Sequence, residues 1–340
     1  MIPFNKNILR LLLPAIIGLL VSCKVGIRPL PESIDSELSD AVEHGMDGVL
    51  VCINKGNETT FHAAGWKNRE NQIPADPKAL FKIASISKLY IAAATTKLVA
   101  QKRLSLDGKL SEFIPEVKGK IQHADKITLR MLLQHRSGIP DYVFDAGFKN
   151  SDPNEEYLTT AALIFDDPAE FQPDKKYKYS NTNYLLIGEL LDRTLGYSHH
   201  DYIQNTILTP LSLKNTYNLY SETDSNDVVS GYLIGYDPDL KSIDHTRPGG
   251  SMVASAEDVA HFLRALIDGT LFSTEEQAIY SSVYVYEHTG WLNGYTSIAR
   301  YHPDLDAVVI QFVNTSSNSM YWLKLERLYN RIVKILEKED

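Results

Sequence analysis

Cysteine is scarce in this 340-residue chain: there are two, Cys23 and Cys52, so no disulfide framework is available. Basic residues are in deficit, with 34 Lys+Arg against 43 Asp+Glu and a formal charge of −9, which excludes the basic surface that nucleic acid requires. No repeat and no low-complexity tract is present, and an ordinary 44% hydrophobic content excludes wholesale disorder. There is no Gly-x-Ser-x-Gly elbow, no P-loop and no His-Glu-x-x-His pair. The 10 histidines are scattered, and the adjacent His199-His200 reads as surface, not as a ligand pair. Neither a cofactor nor a metal is therefore expected.

Long apolar runs are also missing. Leu11 to Val21, behind Lys6 and Arg10, would rise only about 16 Å as a helix, short of the roughly 30 Å hydrocarbon core. A short apolar core behind a positive start reads as a secretory signal over 1–22. Its end, Leu20-Val21-Ser22-Cys23, resembles a bacterial lipoprotein box, which implies lipidation at Cys23 and a membrane anchor in the bacterial cell envelope. Residues 23–32, with Pro29 and Pro31, then form a tether, and 33–340 the folded domain. Cys52, inside the strand-like Gly48-Val49-Leu50-Val51-Cys52-Ile53, is expected to be buried and inert.

Within that domain, Ile34, Leu38 and Val42 recur at helical spacing over 33–43. Residues 48–53 and 59–64 flank Asn54-Lys55-Gly56-Asn57 as a hairpin. Ser85 to Ala100 is apolar almost all round, which predicts a helix buried between layers. Residues 103–267 read as mostly helical, most clearly from Asn183 to Leu195 before Gly196. Strands return at 283–286, 295–301 and 307–313, and Tyr321 to Leu336 closes the chain as an amphipathic helix. The expected fold is α+β: an antiparallel sheet built from about 33–80 and 270–340, flanked by helices, with a mostly helical part inserted at about 85–267. The cleft between the two parts is the default site.

Three short motifs carry chemistry. Ser85-Ile86-Ser87-Lys88 opens the buried helix, so a hydroxyl and an ammonium three apart share one face. Lys88 lies about 180° around that helix from Lys97, so both cannot reach one solvent stripe; a buried lysine loses basicity and becomes a usable base. Tyr179-Ser180-Asn181 is extended, which puts the phenol and the amide on one side, with Tyr177 and Tyr184 as rival phenols. His288-Thr289-Gly290 begins the late strand pair; the glycine admits a substrate backbone, and the next amide, from Trp291, is a candidate oxyanion donor. Each motif alone has an ordinary structural explanation, as a cap, a loop or a strand end.

In combination and order, Ser-x-x-Lys, Tyr-x-Asn and His-Thr-Gly resemble the serine β-lactamase and penicillin-binding-protein-like hydrolases, in the class C β-lactamase and D-alanyl-D-alanine carboxypeptidase branch. Leu80-Phe81-Lys82-Ile83-Ala84-Ser85, Leu132-Leu133-Gln134-His135-Arg136-Ser137-Gly138-Ile139-Pro140, Pro210-Leu211 and Gly249-Gly250-Ser251-Met252 are similar to further landmarks of that family, over about residues 40–315. The resemblance implies the β-lactamase/transpeptidase fold and a metal-independent acyl-enzyme. Ser85 would be its nucleophile, and Lys88 and Tyr179 would share the proton transfers. Asn181 would position the substrate, and His288 would polarise Tyr179 or meet a substrate carboxylate. The backbone N–H groups of Ser85 and Trp291 would form the oxyanion hole.

The expected partner is a small-molecule or peptide substrate, for a monomer. Five departures stand out: His288 where many relatives carry lysine, Glu287 in place of glycine, Asp174 where Gly often follows Pro, a large Trp291 that would narrow the acyl pocket, and a stretch from Leu271 to Glu287 that is short and lacks one strand of the usual pair. Glu287, Trp291 and the shortened region before the third motif motivate the alternative, a non-catalytic binding protein for cell-wall peptide or a protein partner.

Overall fold

The structure is a computed structural model that describes residues 30–56 and 58–339. Cys23 and residues 1–22, where a secretory signal is expected, lie outside the described residues. Among those described, no helix is long and apolar enough to cross a membrane.

Six strands make the main sheet: β1 (Gly48–Lys55), β2 (Glu58–Asn68), β3 (Ile73–Pro74), β4 (His288–Leu292), β5 (Tyr295–His302) and β6 (Ala307–Val313). Their order is β3-β2-β1-β6-β5-β4, antiparallel throughout, so the two ends of the chain meet at β1 and β6 with Val49 opposite Val313. Period-two alternation divides their side chains between two cores. Val49, Val51 and Ile53 face one side with Val309 and Val313. Leu50, Cys52, Val308, Ile310 and Phe312 face the other. Burial pushes the Cys52 thiol up to about 12, so it is inert at neutral pH.

The first core is covered by α1 (Ile34–Glu43) and by the last helix, α6 (Tyr321–Glu339). Ser33 caps α1, its hydroxyl accepting from the Ser36 N–H at 3.2 Å. The two helices are tied by Arg331, whose guanidinium grips Glu37 through both carboxylate oxygens at 2.6 and 2.8 Å.

The second core joins the sheet to the helical part. Between them lie α2 (Ser87–Ala100), α3 (Asn181–Leu195), α4 (Ala256–Asp268) and α5 (Thr274–Val283). Phe262 of α4 stacks on Tyr90 of α2 at 3.7 Å, and α2 is buried on nearly every side, as its all-round apolarity predicts. Gly196, in the left-handed region at φ +79°, ends α3.

Two expectations fail. Residues 283–286 alternate like a strand, yet α5 runs to Val283 under a Ser273/Glu276 capping box, and the next strand starts only at His288. Tyrosines hold the intervening segment irregular: Tyr280 donates to the Val285 carbonyl at 2.8 Å, and Tyr286 accepts from Gln277 at 2.6 Å. His199 is also not a surface residue; it is buried, with its Nδ1 on the Asp192 carboxylate at 2.7 Å.

Candidate active site

Ser85 sits in a single tight turn, Ala84–Ile86, that leads into α2. The turn is held from three directions. Ser297 of β5 donates to the Ile83 carbonyl at 3.1 Å; Ser87 donates to the Ala84 carbonyl at 2.6 Å and accepts from the Met252 N–H at 3.2 Å. Ala84 lies at φ +52°, a left-handed conformation that costs an alanine energy and is sustained here by those bonds.

Lys88, one turn on, is 1% exposed. Its Nζ lies 3.1 Å from Ser85 Oγ, 3.0 Å from Asn181 Oδ1 and 2.7 Å from the Gly249 carbonyl. Burial disfavours the ammonium and lowers its pKa to about 7, against the smaller opposing pull of Asp141, so much of the amine is free at neutral pH. Tyr179 places its hydroxyl 2.9 Å from Ser85 Oγ on the other side. Burial raises the phenol well above its usual range, opposed in part by its bond to Ser85, so it holds its proton. The rival phenols are elsewhere: Tyr177 is 65% exposed, and the Tyr184 hydroxyl lies towards the Leu133 carbonyl at 3.5 Å.

Asn181 does two things at once. Its Oδ1 takes the Lys88 bond while its Nδ2 donates to Asp141 at 3.0 Å. Behind Tyr179 stands His135, stacked at 4.4 Å between ring centres. Its Nδ1 accepts the Ser180 N–H at 3.2 Å, and burial lowers the imidazole to about 3, keeping the stacked ring neutral. His135, Asp141 and Gly249 were not singled out as site residues in the sequence. Only the Leu132–Pro140 segment and the Gly249-Gly250 pair hinted at them, because their contacts are made across tens of residues.

On β4 the alternate residues divide. His288 faces the site, with its ring 6.2 Å from that of Tyr179. Thr289 supplies its carbonyl to His288 Nδ1 at 2.6 Å. Gly290 is pressed against the turn that carries Ser85: a Cβ there would lie 2.4 Å from the Ile83 carbonyl and 2.9 Å from Ala84 Cβ. The glycine is thus required by the chain's own backbone.

The side chain of Trp291 falls on the far face, against the expectation that it narrows the acyl pocket. It borders a separate groove of about 230 Å³ with Thr296, Tyr321 and Trp322. Glu287 is turned the same way, 3.6 Å from Arg300, which in turn holds Glu326 of α6. Neither residue that favoured a non-catalytic protein faces Ser85. Asp174 lies at φ +65°, which accounts for glycine being common at such a position; here its carboxylate binds Arg136 at 2.5 Å. Among the described residues, no cluster of His, Cys, Asp or Glu is arranged to hold a metal.

An antiparallel sheet packed on a helical part, with serine, lysine and tyrosine converging at their junction, defines a β-lactamase-like serine hydrolase fold. The Beta-lactamase family model matches residues 34–283, and the chain belongs to that family. It is 25% identical over 240 residues to Protein flp of Staphylococcus aureus (strain COL), an alignment covering 68% of this chain and 48% of that protein. It is 25% identical over 210 residues to Penicillin-binding protein 4* of Bacillus subtilis (strain 168), covering 61% and 45%. The chain thus spans about half the length of the curated relatives it matches. In fold it is similar to D-amino acid amidase from Ochrobactrum anthropi SV3, solved with L-phenylalanine amide: TM-score 0.77, 23% identity, 90% of this chain and 98% of that one.

Proposed function

We propose that the protein hydrolyses a small amide or ester, such as a D-Ala-type peptide, a β-lactam or a short-chain ester, through an acyl-enzyme on Ser85. One observation carries this reading: Ser85 Oγ lies between a buried lysine at 3.1 Å and a protonated tyrosine at 2.9 Å. As Oγ bonds to the substrate carbonyl carbon, its proton passes to the free amine of Lys88. Tyr179 hands its proton to the leaving nitrogen or oxygen as that bond breaks, and takes one back from Lys88. Water then attacks the acyl carbon, the proton transfers run in reverse, and Ser85 is released. Asn181 holds Lys88 in line and offers its amide edge to the substrate. The backbone N–H groups of Ser85 and Trp291 stabilise the oxyanion, each contributing roughly 3 kcal/mol to the transition state.

The envelope location and the lipid on Cys23 belong to the same proposal and are supported by the leader sequence alone. Fatty-acid labelling of the expressed full chain, lost in Cys23→Ala, tests that part. For the reaction, the test is intact-mass detection of an adduct after exposure to penicillin, a fluorophosphonate or a short-chain ester. A stoichiometric adduct absent from Ser85→Ala is expected; an adduct that persists on the mutant removes Ser85 as nucleophile.

A further inference from the structure

The imidazole of His288 is held in one tautomer. Its Nδ1 lies 2.6 Å from the Thr289 carbonyl oxygen, which can only accept, so Nδ1 carries the proton. Its Nε2 has no hydrogen-bond partner among the described residues and is not shut away from solvent. The ring neighbours those of Tyr284 and Tyr179, each 6.2 Å away between centres. Burial, with Lys88 adding to it, lowers the imidazole to about 4, so at neutral pH Nε2 is a bare lone pair.

We propose that His288 reads the leaving-group side of the substrate as a hydrogen-bond acceptor, so that preferred substrates carry an N–H donor there, a carboxamide or an amine, in place of a carboxylate. The side is set by Tyr179, whose hydroxyl is 2.9 Å from Ser85 Oγ and whose ring is 6.2 Å from that of His288, and which on this reading passes the proton to the leaving group. A carboxylate at that position would bring its lone pairs against the lone pair of Nε2. An N–H group would complete the only polar atom of the ring left without a protein partner. A lysine at the same place would do the opposite, offering three donors and a charge. The inference rests on the acyl-Ser85 reading and narrows its substrate class.

The test uses a matched pair, N-acetyl-D-Ala-D-Ala and its C-terminal carboxamide, each competing with fluorophosphonate labelling of the full chain and each assayed for cleavage. The carboxamide is expected to compete at least about tenfold more effectively, the difference of one well-made hydrogen bond. His288→Lys is expected to shift the ratio about tenfold towards the carboxylate. Should that variant not fold, His288→Gln, which offers an amide N–H, is expected to narrow the ratio. The proposal is overturned if wild type favours the carboxylate, treats the pair alike or is competed by neither, or if a folded His288→Lys keeps the wild-type ratio. Labelling that persists in Ser85→Ala is a separate failure, that of the acyl-enzyme itself.

Discussion

At the scale of single residues, the site is governed by what burial does to Lys88. In the proposed reaction the free amine is the reactive form, so kcat/KM is expected to rise with pH through about 7 and level off above it. A pH profile on a substrate that does not itself titrate checks this; a flat profile through that region would assign the base elsewhere. The same burial has a cost. With the folded pKa near 7 and the unfolded one near 10.5, the unfolded chain binds the extra proton between those values. Unfolding free energy should therefore climb with pH across that window. Lys88→Met is expected to lose about a thousandfold in kcat and to gain about 2 kcal/mol of stability at neutral pH, read by denaturant titration beside the assay. Lys88 was singled out in the sequence because it and Lys97 cannot share one solvent stripe and because Ser-x-x-Lys occurs together with the other two motifs. His135 and Asp141 were not, since their partners, Tyr179 with Ser180 and Asn181, lie some 40 residues further along the chain.

At the scale of elements, the contact between β4 and the nucleophile turn is the tightest constraint on the site. Gly290→Ala would drive a methyl into the Ile83 carbonyl and Ser297 Oγ, at 2.4 and 2.3 Å. The strand or the turn must then move. The expected cost is about 3 kcal/mol in stability, with labelling of Ser85 slowed at least tenfold, because the strained Ala84 has no slack to absorb the shift. A variant of wild-type stability and labelling rate would show the contact to be soft. The hairpin of β1 and β2, the helix α2 and the strands β5 and β6 were readable because each shows a clean period or an unbroken apolar face. The 283–286 segment was misread since alternating valine and tyrosine has the same period whether the rings line a sheet or cluster among themselves.

At the scale of the whole molecule, the sheet is assembled from both ends of the chain and clamped by α1 and α6. Arg331→Leu would leave the Glu37 carboxyl group without its bidentate partner at a site 4% exposed, an expected loss of about 3 kcal/mol measurable as a lowered denaturation midpoint. The two-part plan was visible in the order of segments, strands at the ends and helices between, while the face each side chain of β4 takes emerged only from its register with β5. The end-to-end pairing of Val49 with Val313 also sets a schedule. As the polypeptide leaves the ribosome, its serine and lysine emerge early, but the wall that completes their cleft is synthesised almost last. On the proposed reading, a half-made chain thus carries its serine and lysine without the strands that complete their cleft, and can use them only after those strands have docked.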